Sequence, residues 1–224
     1  MPPLLAVICL SAFFWGDIMK NLIAATAVAC LFAVAGQASA AGHEWAFSAG
    51  TLNKIDLNYG SSSTSIHTSY KSGVQYGGAW TSTPQGNWHW DVAVSLSQQD
   101  IDRSVYTSGS TTYTNTTSGS LKTASFWIDA VYDFPVKAPV KPYAGVGVGG
   151  THVWLDDGVA LKGDLQSPGV QAFAGLNVAV TKKVRLFAEA RLERLGNFDI
   201  EVNGTGRHAQ LDTSAVVVGL RTTF

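Results

Sequence analysis

Three glycines near the middle of the chain form the first motif that could carry chemistry. Gly145, Gly147 and Gly150 match the G-x-G-x-x-G pattern with which dinucleotide-binding proteins hold a pyrophosphate. That chemistry needs a strand before the glycines and a helix after them, whereas residues 151–154 continue a strand pattern. We therefore predict that Gly145, Gly147 and Gly149 lie on the crowded inner face of a sheet, where bulky neighbours leave no room for a side chain.

A second candidate is the tripeptide His67-Thr68-Ser69, because a histidine beside a serine can activate the hydroxyl as a nucleophile for ester hydrolysis. No carboxylate that could orient this histidine is evident near it in the sequence. The five histidines, at positions 43, 67, 89, 152 and 208, show no metal-ligand spacing. Both cysteines, Cys9 and Cys30, fall in the first 40 residues. The sequence therefore predicts a non-enzymatic protein without a metal or cofactor.

The charge composition restricts the partners. Lys and Arg number 15 against 16 Asp and Glu, so the formal net charge is −1 and no basic surface for nucleic acid is expected. Charged residues make up 14% of the chain, which is low against about 25% in soluble proteins. This low content indicates that part of the surface does not face water.

The elements that position these residues are strands, because the apolar residues recur with a period of two. In residues 87–98 the even positions from 88 to 96 are apolar and the odd ones mostly polar, and residues 121–134 and 184–195 repeat this division. Successive side chains of a strand point to opposite faces, so each segment has one apolar and one polar face. Weaker alternation elsewhere completes a set of eight predicted strands, at residues 45–59, 70–80, 87–98, 121–134, 143–155, 169–180, 184–195 and 211–224.

The segments between the strands alternate in length. Those at 60–67, 99–120, 156–167 and 196–210 are long, and those at 81–86, 135–141 and 181–183 are short. Outer-membrane barrels have short periplasmic turns, long external loops and strands of ~9–11 residues. The sequence therefore predicts an all-β fold, an eight-stranded antiparallel up-and-down transmembrane β-barrel over residues 41–224. The longest loop, 99–120, should be a mobile solvated segment because it is rich in Ser, Thr, Gly and Asn.

Aromatic residues indicate which face meets lipid. Several fall on the apolar face near the predicted periplasmic rim, namely Trp45, Trp80, Trp88, Trp90, Tyr132 and Phe134. Tyr70 falls on the same face near the opposite rim. Because Trp and Tyr favour membrane interfaces, the apolar face is predicted to point outward. The alternative is a soluble eight-stranded cup with the apolar face inward.

The polar face should then line the interior. It carries five basic and six acidic residues: Lys54, Asp56, Lys71, Asp91, Asp129, Asp133, Arg185, Glu189, Arg191, Glu193 and Arg221. Eight strands leave an interior just wide enough for side chains, and balanced charges can pair there. We therefore predict an interior plugged by paired charges. The alternative is an ion-selective pore, which would more naturally show rings of one sign.

The first 40 residues have the features of an export signal. Lys20 precedes an apolar stretch at 22–35, and Ala38-Ser39-Ala40 forms a small-residue cleavage site. We expect a signal peptide over residues 1–40 that is cleaved to leave 41–224. Residues 1–18 are interpreted as an upstream extension from a misassigned start, with Met19 as the true start.

Two stretches carry a family resemblance. Residues 141–149, Lys-Pro-Tyr-Ala-Gly-Val-Gly-Val-Gly, and residues 218–224, Val-Gly-Leu-Arg-Thr-Thr-Phe, resemble small porin-like outer-membrane β-barrel proteins of the opacity and OmpA type. Phe224 with Gly219 is similar to the signal read by the barrel-assembly machinery, although Thr222 stands where an aromatic residue is common. The resemblance covers residues 41–224. It implies a Gram-negative outer membrane, transit with periplasmic chaperones, and surroundings of membrane lipid and lipopolysaccharide.

The predicted function is a structural or adhesin-like role of a monomer, whose four external loops contact a host or surface ligand. One alternative is a lipid A-modifying outer-membrane enzyme that uses His67 and Ser69. Against it, Tyr70 and Val74 assign even positions outward, which turns His67 and Ser69 inward and away from lipid. The other alternative is a narrow ion channel.

Overall fold

The computed structural model describes residues 43–60, 64–82, 86–115, 119–156, 162–202 and 205–223. Most of these residues belong to β-strands, and no helix among them is long and apolar enough to cross a membrane. The predicted signal peptide over residues 1–40 and the terminal Phe224 lie outside the described residues.

The described residues form eleven strands: β1 (Glu44–Leu52), β2 (Ile55–Gly60), β3 (Thr64–Tyr70), β4 (Gly73–Thr81), β5 (Trp88–Ser108), β6 (Thr111–Asn115), β7 (Ser120–Asp133), β8 (Val140–Asp156), β9 (Lys162–Ala179), β10 (Val184–Val202) and β11 (Thr205–Thr223). Eight of them pair antiparallel in a closed ring, in the order β1-β4-β5-β7-β8-β9-β10-β11 and back to β1. The predicted eight-stranded antiparallel barrel is confirmed.

The register of the ring fixes how far the strands lean. Asp212 on β11 pairs with Arg194 on β10. Following the directly paired residue on each successive strand around the ring leads back to β11 at Thr222. The ring therefore closes with a stagger of ten residues, from 212 to 222. Ten residues of ~3.3 Å against eight strands ~4.8 Å apart give a tilt of about 40°, which is usual for outer-membrane barrels.

An apolar band surrounds the outside of this ring. On β10 it extends from Val184 to Leu192 and is followed by Arg194, and on β7 it extends from Tyr132 to Ala124 and is followed by Lys122. Most of the exposed large apolar side chains belong to this outward face. Nine residues of a strand tilted by about 40° rise about 22 Å, close to the ~25 Å height of the apolar band of outer-membrane barrels. The apolar face therefore points outward, as predicted.

The β1–β4 pair is interrupted on both strands at the same level. Asn53-Lys54 separates β1 from β2, and Lys71-Ser72 separates β3 from β4. The buried Gln99 side chain bridges the interruption, because its Nε2 donates to the carbonyl oxygens of Asn53 at 2.9 Å and of Lys71 at 3.0 Å. Each interruption inserts two residues between inward-facing side chains. The alternation of faces therefore reverses beyond it.

The predicted long loops are in large part continuations of the strands. β5 runs to Ser108 and turns at Gly109, where φ is 59°, into β6, which pairs with it. The prediction of a loop at 99–120 was wrong, since the described part of this segment forms a β-hairpin. Its predicted mobility stays a prediction. Periodicity misses such strands because Ser, Thr and Tyr suit a strand solvated on both faces and produce no apolar alternation.

A charge placed at mid-height on the lipid-facing side should be costly. Ala188 is exposed there, opposite Val218 and Leu176. Ala188→Arg should lower the free energy of unfolding by about 2–4 kcal/mol, because its guanidinium group meets hydrocarbon. Gln98→Arg, at the outer edge of the band on β5, is the matched control and should cost about 0–1 kcal/mol. Reversible unfolding in lipid vesicles measures both, and equal costs would contradict the assigned height of the band.

Candidate functional site

The inward face of the ring is the most elaborate part of the molecule. Its side chains form three layers, which we call the ionic layer near the short turns, the mixed layer in the middle and the apolar layer towards the long hairpins. The short turns lie at the periplasmic end by the general habit of outer-membrane barrels.

Arg221 organises the ionic layer. Its Nη2 atom lies 3.3 Å from Asp91 Oδ2, and its Nη1 atom donates to Thr81 Oγ1 at 3.3 Å. The guanidinium carbon also lies 5.4 Å from the ring centroids of both Tyr143 and Phe187. Arg221 is only 4% exposed. The carboxylate, the hydroxyl and the two aromatic faces together replace the water that this cation loses.

Two further groups extend the ionic layer. His89 Nε2 lies 3.5 Å from Asp91 Oδ1, and its Nδ1 lies 3.3 Å from Asp133 Oδ2. Arg185 forms an ion pair with Glu44. The charge balance read from the sequence leaves out His89, which counts as neutral, and Glu44, which precedes the predicted strand at 45–59. His89 could have been included, because it shares the alternation phase of Asp91.

The mixed layer joins charges to uncharged polar groups. Arg191 donates to Glu189 Oε1 from Nη2 at 2.6 Å and from Nε at 3.0 Å. Tyr143 donates its hydroxyl to Glu189 Oε2 at 3.0 Å, and Gln171 Nε2 donates to Asp129 Oδ1 at 2.5 Å. Tyr143 and Gln171 are partners that the count of charges did not reveal.

The glycines of β8 provide the space that these side chains occupy. A Cβ atom at Gly147 would overlap the Asp129 carboxylate, and one at Gly145 would overlap the Phe173 ring. A Cβ atom at Gly149 would overlap the backbone of β7. The prediction that these glycines face inward beside bulky neighbours is confirmed, and the chain continues as a strand after them.

The apolar layer closes the end of the barrel that faces the long hairpins. Its buried members contact one another: Ile55, Tyr70, Ala93, Ile101, Leu121, Trp127, Val153, Leu195 and Leu211. Trp127 has no exposed surface. The charges of the inward phase did not predict this layer, because its side chains are apolar. Leu121 and Trp127 share that phase with Asp129, so the signal was present.

A small cavity remains between the layers. It has a volume of about 20 Å³ and contacts Asp91, Asp129, Glu189, Arg191 and Arg221. Such a volume holds about one water molecule. Among the described residues, no group of three or more His, Cys, Asp and Glu side chains is arranged to hold a metal ion.

Of the residues predicted for the interior, two lie elsewhere and the side chain of a third is outside the described residues. Lys54 and Lys71 are exposed and lie in the two interruptions of the β1–β4 pair, so they do not line the barrel. The prediction failed because the alternation reverses there. Asp56 lies on β2 beyond the same interruption, and its side chain is outside the described residues. By contrast, Glu193 is 8% exposed and accepts a hydrogen bond from Thr213 at 3.3 Å.

The predicted aromatic girdle is exposed only in part. Three of its members are exposed near the periplasmic turns, namely Trp88, Trp90 and Phe134. Tyr132 packs against Trp88 with the ring centroids 4.9 Å apart. Trp45 and Trp80 are register partners on the same outward face. Trp45 is only 3% exposed, so it adds almost no accessible aromatic surface to the girdle.

Gly219, predicted as part of an assembly signal, has a role in packing. It lies opposite Phe187 on β10, and a Cβ atom there would come within 2.6 Å of the Phe187 ring. A larger residue would therefore displace an aromatic ring of the interior. The recognition of Gly219 and Phe224 by the assembly machinery stays a prediction.

The structure reverses the predicted orientation of His67 and Ser69. Thr68 and Tyr70 are each 1% exposed, whereas His67 and Ser69 are half-buried on the opposite, outer side. Ser69 Oγ lies 3.4 Å from His67 Nε2, and the register places Asp56 opposite Ser69. Tyr70, predicted at the lipid-facing rim, belongs instead to the apolar layer. The two-residue interruption before β4 causes both differences.

Comparisons with known proteins agree with this architecture. The family described as "Outer membrane protein beta-barrel domain" matches residues 25–224. OprG from Pseudomonas aeruginosa has a TM-score of 0.52 at 12% identity, over 82% of this chain and 97% of OprG. Neisserial surface protein A has a TM-score of 0.48 at 21% identity, over 81% of this chain and 96% of its own. A comparison with curated protein sequences gave no significant match.

Removal of Arg221 should cost far more than removal of an exposed arginine. Arg221→Met leaves Asp91 buried without its cation and should lower the free energy of unfolding by about 3–5 kcal/mol. Arg194→Met breaks a pair with Asp212 whose side chains are 67% and 54% exposed, and it should leave the free energy of unfolding nearly unchanged because water screens the pair. Urea unfolding in lipid vesicles measures both. Adding Asp91→Asn to the first variant should restore part of the loss, and no restoration would argue against a buried pair.

Proposed function

The chain belongs to the family of outer membrane protein β-barrel domains, and on this premise we propose that it is a closed, non-conducting barrel that makes surface contacts through its external hairpins. Its location is the outer membrane. The membrane-spanning ring serves as a rigid anchor, and the hairpins beyond the lipid present the contact surface. This role is structural and adhesive rather than transporting.

The filled interior is the observation that carries the proposal. An ion crossing the barrel would have to displace the Arg221–Asp91 pair, in which both side chains are about 95% buried, and then the fully buried Trp127. Apolar side chains cannot replace the hydration shell of an ion, so the apolar layer opposes conduction even where the charges could assist it. The balanced charges therefore support a packed core.

The external sheet supports a role in surface contact. Beyond the ring, β2, β3, the outer part of β5, and β6 pair in that order. Residues 104–115 of this sheet carry no charge and consist mainly of Ser, Thr, Gly, Asn and Tyr. Tyr106 and Tyr113 are register partners and are 39% and 63% exposed. Exposed tyrosines among small hydroxyl residues suit protein recognition, because they bury area at little entropic cost.

Shortening the β5–β6 hairpin should distinguish the anchoring role of the ring from the surface-contact role of the hairpin. We expect that replacing residues 105–114 by Asn-Gly, which suits a two-residue hairpin turn, leaves a folded barrel that still shifts on unboiled gels. Bacteria that display this variant should lose most of their binding to a protein-coated surface or to host cells. As the matched control, replacing the periplasmic turn at 181–183 by a different turn of the same length should leave binding unchanged.

Planar-bilayer recording tests the closed interior on the same proteins. The wild type should show no steady open state. Stable conductance steps whose ion selectivity changes in Arg191→Ala would contradict the proposal and favour a channel. Binding that persists in the hairpin variant would contradict a contact role of the β5–β6 hairpin.

A second function is favoured by the corrected placement of His67 and Ser69. Their outward position beyond the apolar band, the 3.4 Å contact, and the register of Asp56 opposite Ser69 suit hydrolysis of an ester in a lipid headgroup. Ser69 Oγ would attack the ester carbonyl carbon while His67 takes the hydroxyl proton. The alcohol would then leave with a proton, and water would hydrolyse the acyl-serine.

Fatty-acid release from acylated outer-leaflet lipid in vesicles tests this second function. If it is correct, Ser69→Ala and His67→Ala should each reduce the release to the uncatalysed rate, because the nucleophile and its base act as a unit. Ser65→Ala, an exposed serine on the same strand, is the matched control and should leave the rate unchanged. Absence of release by the wild type would eliminate the enzymatic candidate.

A further inference from the structure

Two lysines lie side by side where the apolar band ends. β1 pairs with β4 and β2 pairs with β3 in the same register on both sides of the interruption. The two intervening residues on each segment therefore occupy opposite register positions, which places Lys54 opposite Lys71. Both lysines are exposed, and neither forms an ion pair within the described ranges.

This arrangement has an electrostatic cost that the fold itself does not require. Like charges directly opposite on neighbouring strands destabilise a sheet. The interruption is held by other groups, since Gln99 bridges its two carbonyl oxygens and the Asn53 side chain donates to Ser214 Oγ at 2.8 Å. The backbone under both lysines is thus fixed independently of their ammonium groups. An anion between the two ammonium groups would convert the repulsion into attraction.

The height of the lysine pair indicates where that anion comes from. Lys54 and Lys71 each lie nine residues along the chain from a girdle tryptophan, Trp45 and Trp80 respectively. Nine residues of a strand tilted by about 40° rise about 22 Å, which is close to the outer edge of the apolar band. Lipid headgroups begin at this level. The ammonium group of lysine is a compact donor well suited to a phosphate.

The surface below the lysine pair is apolar and accessible. Val74 and Tyr76 follow Lys71 on the outward side of β4 and are 47% and 60% exposed. A ligand with a charged head and an acyl chain would meet both surfaces at once. Asp100 is also exposed nearby, and its carbonyl oxygen accepts the Lys71 backbone N–H at 2.8 Å. Its carboxylate opposes binding of a phosphate, so the two lysines must act together.

We propose that Lys54 and Lys71 bind a phosphate group of an outer-leaflet lipid whose acyl chain lies along Val74 and Tyr76. The ligand class is a phosphorylated, acylated lipid such as lipid A. The site does not depend on whether the hairpins bind a partner or whether the interior conducts ions. It gives the barrel a fixed lipid neighbour at one side of its outer rim.

Native mass spectrometry of the whole barrel in a neutral detergent, titrated with bisphosphorylated lipid A, tests the proposal. The double variant Lys54→Gln/Lys71→Gln should bind about tenfold more weakly than the wild type, because it loses charge-assisted hydrogen bonds to phosphate. Lys122→Gln is the matched control. Lys122 is an exposed lysine at the same edge of the band, with Gln98 and Trp154 as register partners, and its loss should change affinity less than twofold.

Further probes distinguish the possible sources of the anion. Lipid A without its phosphates should bind wild type and double variant equally, and inorganic phosphate should bind both only weakly. An unchanged affinity in the double variant, or an equal loss in Lys122→Gln, would overturn the site. Wild-type binding of inorganic phosphate or of a sulfated oligosaccharide as tight as that of lipid A would overturn the lipid assignment. A boiling-dependent gel shift in every variant shows that each one is folded.

Discussion

Closure of the hydrogen-bonded ring is the constraint on which the other features depend. In hydrocarbon no water is available to the backbone, so every strand must find partners on both edges. Eight strands with a stagger of ten residues meet this demand and leave an interior about wide enough for side chains. The residues that face inward must therefore fill a narrow space, and any activity is displaced to the ends and the outer surface.

The interior meets this demand by matching size and charge between strands. Gly145 and Gly147 on β8 leave room for Phe173 and Asp129 from the neighbouring strands. Arg221 is tolerated because a carboxylate, a hydroxyl and two aromatic rings surround it. The charges lie in one half of the barrel, together with buried apolar side chains such as Phe173 and Phe187, and the apolar layer lies in the other half. This division favours a closed anchoring barrel over a channel, because an ion would have to displace paired charges in one half and cross apolar side chains in the other.

The interruption of the β1–β4 pair has consequences larger than its size. On each segment two residues, where a regular strand has one, separate consecutive inward-facing side chains, and this one extra residue reverses the alternation, so Tyr70 moves into the core and Lys54 and Lys71 move out of it. His67 and Ser69 turn to the outer side for the same reason. Both the proposed phosphate site and the enzymatic candidate owe their position to this one irregularity. A local change in strand phase thus determines which residues can meet a lipid.

The sequence by itself determined the number of membrane strands, their approximate limits and the face that meets lipid, because alternation is a local pattern that the apolar surroundings impose on every spanning strand. It also identified most of the buried charges, such as Asp91, Glu189 and Arg221. Only the tertiary structure decided where the alternation reverses. The interruption is held by Gln99, which is 46 residues from Asn53 and 28 residues from Lys71 along the chain. The tertiary structure alone showed that the strands extend into the hairpin at 99–120. Strands surrounded by water are held by backbone pairing and carry no apolar pattern that the sequence could reveal.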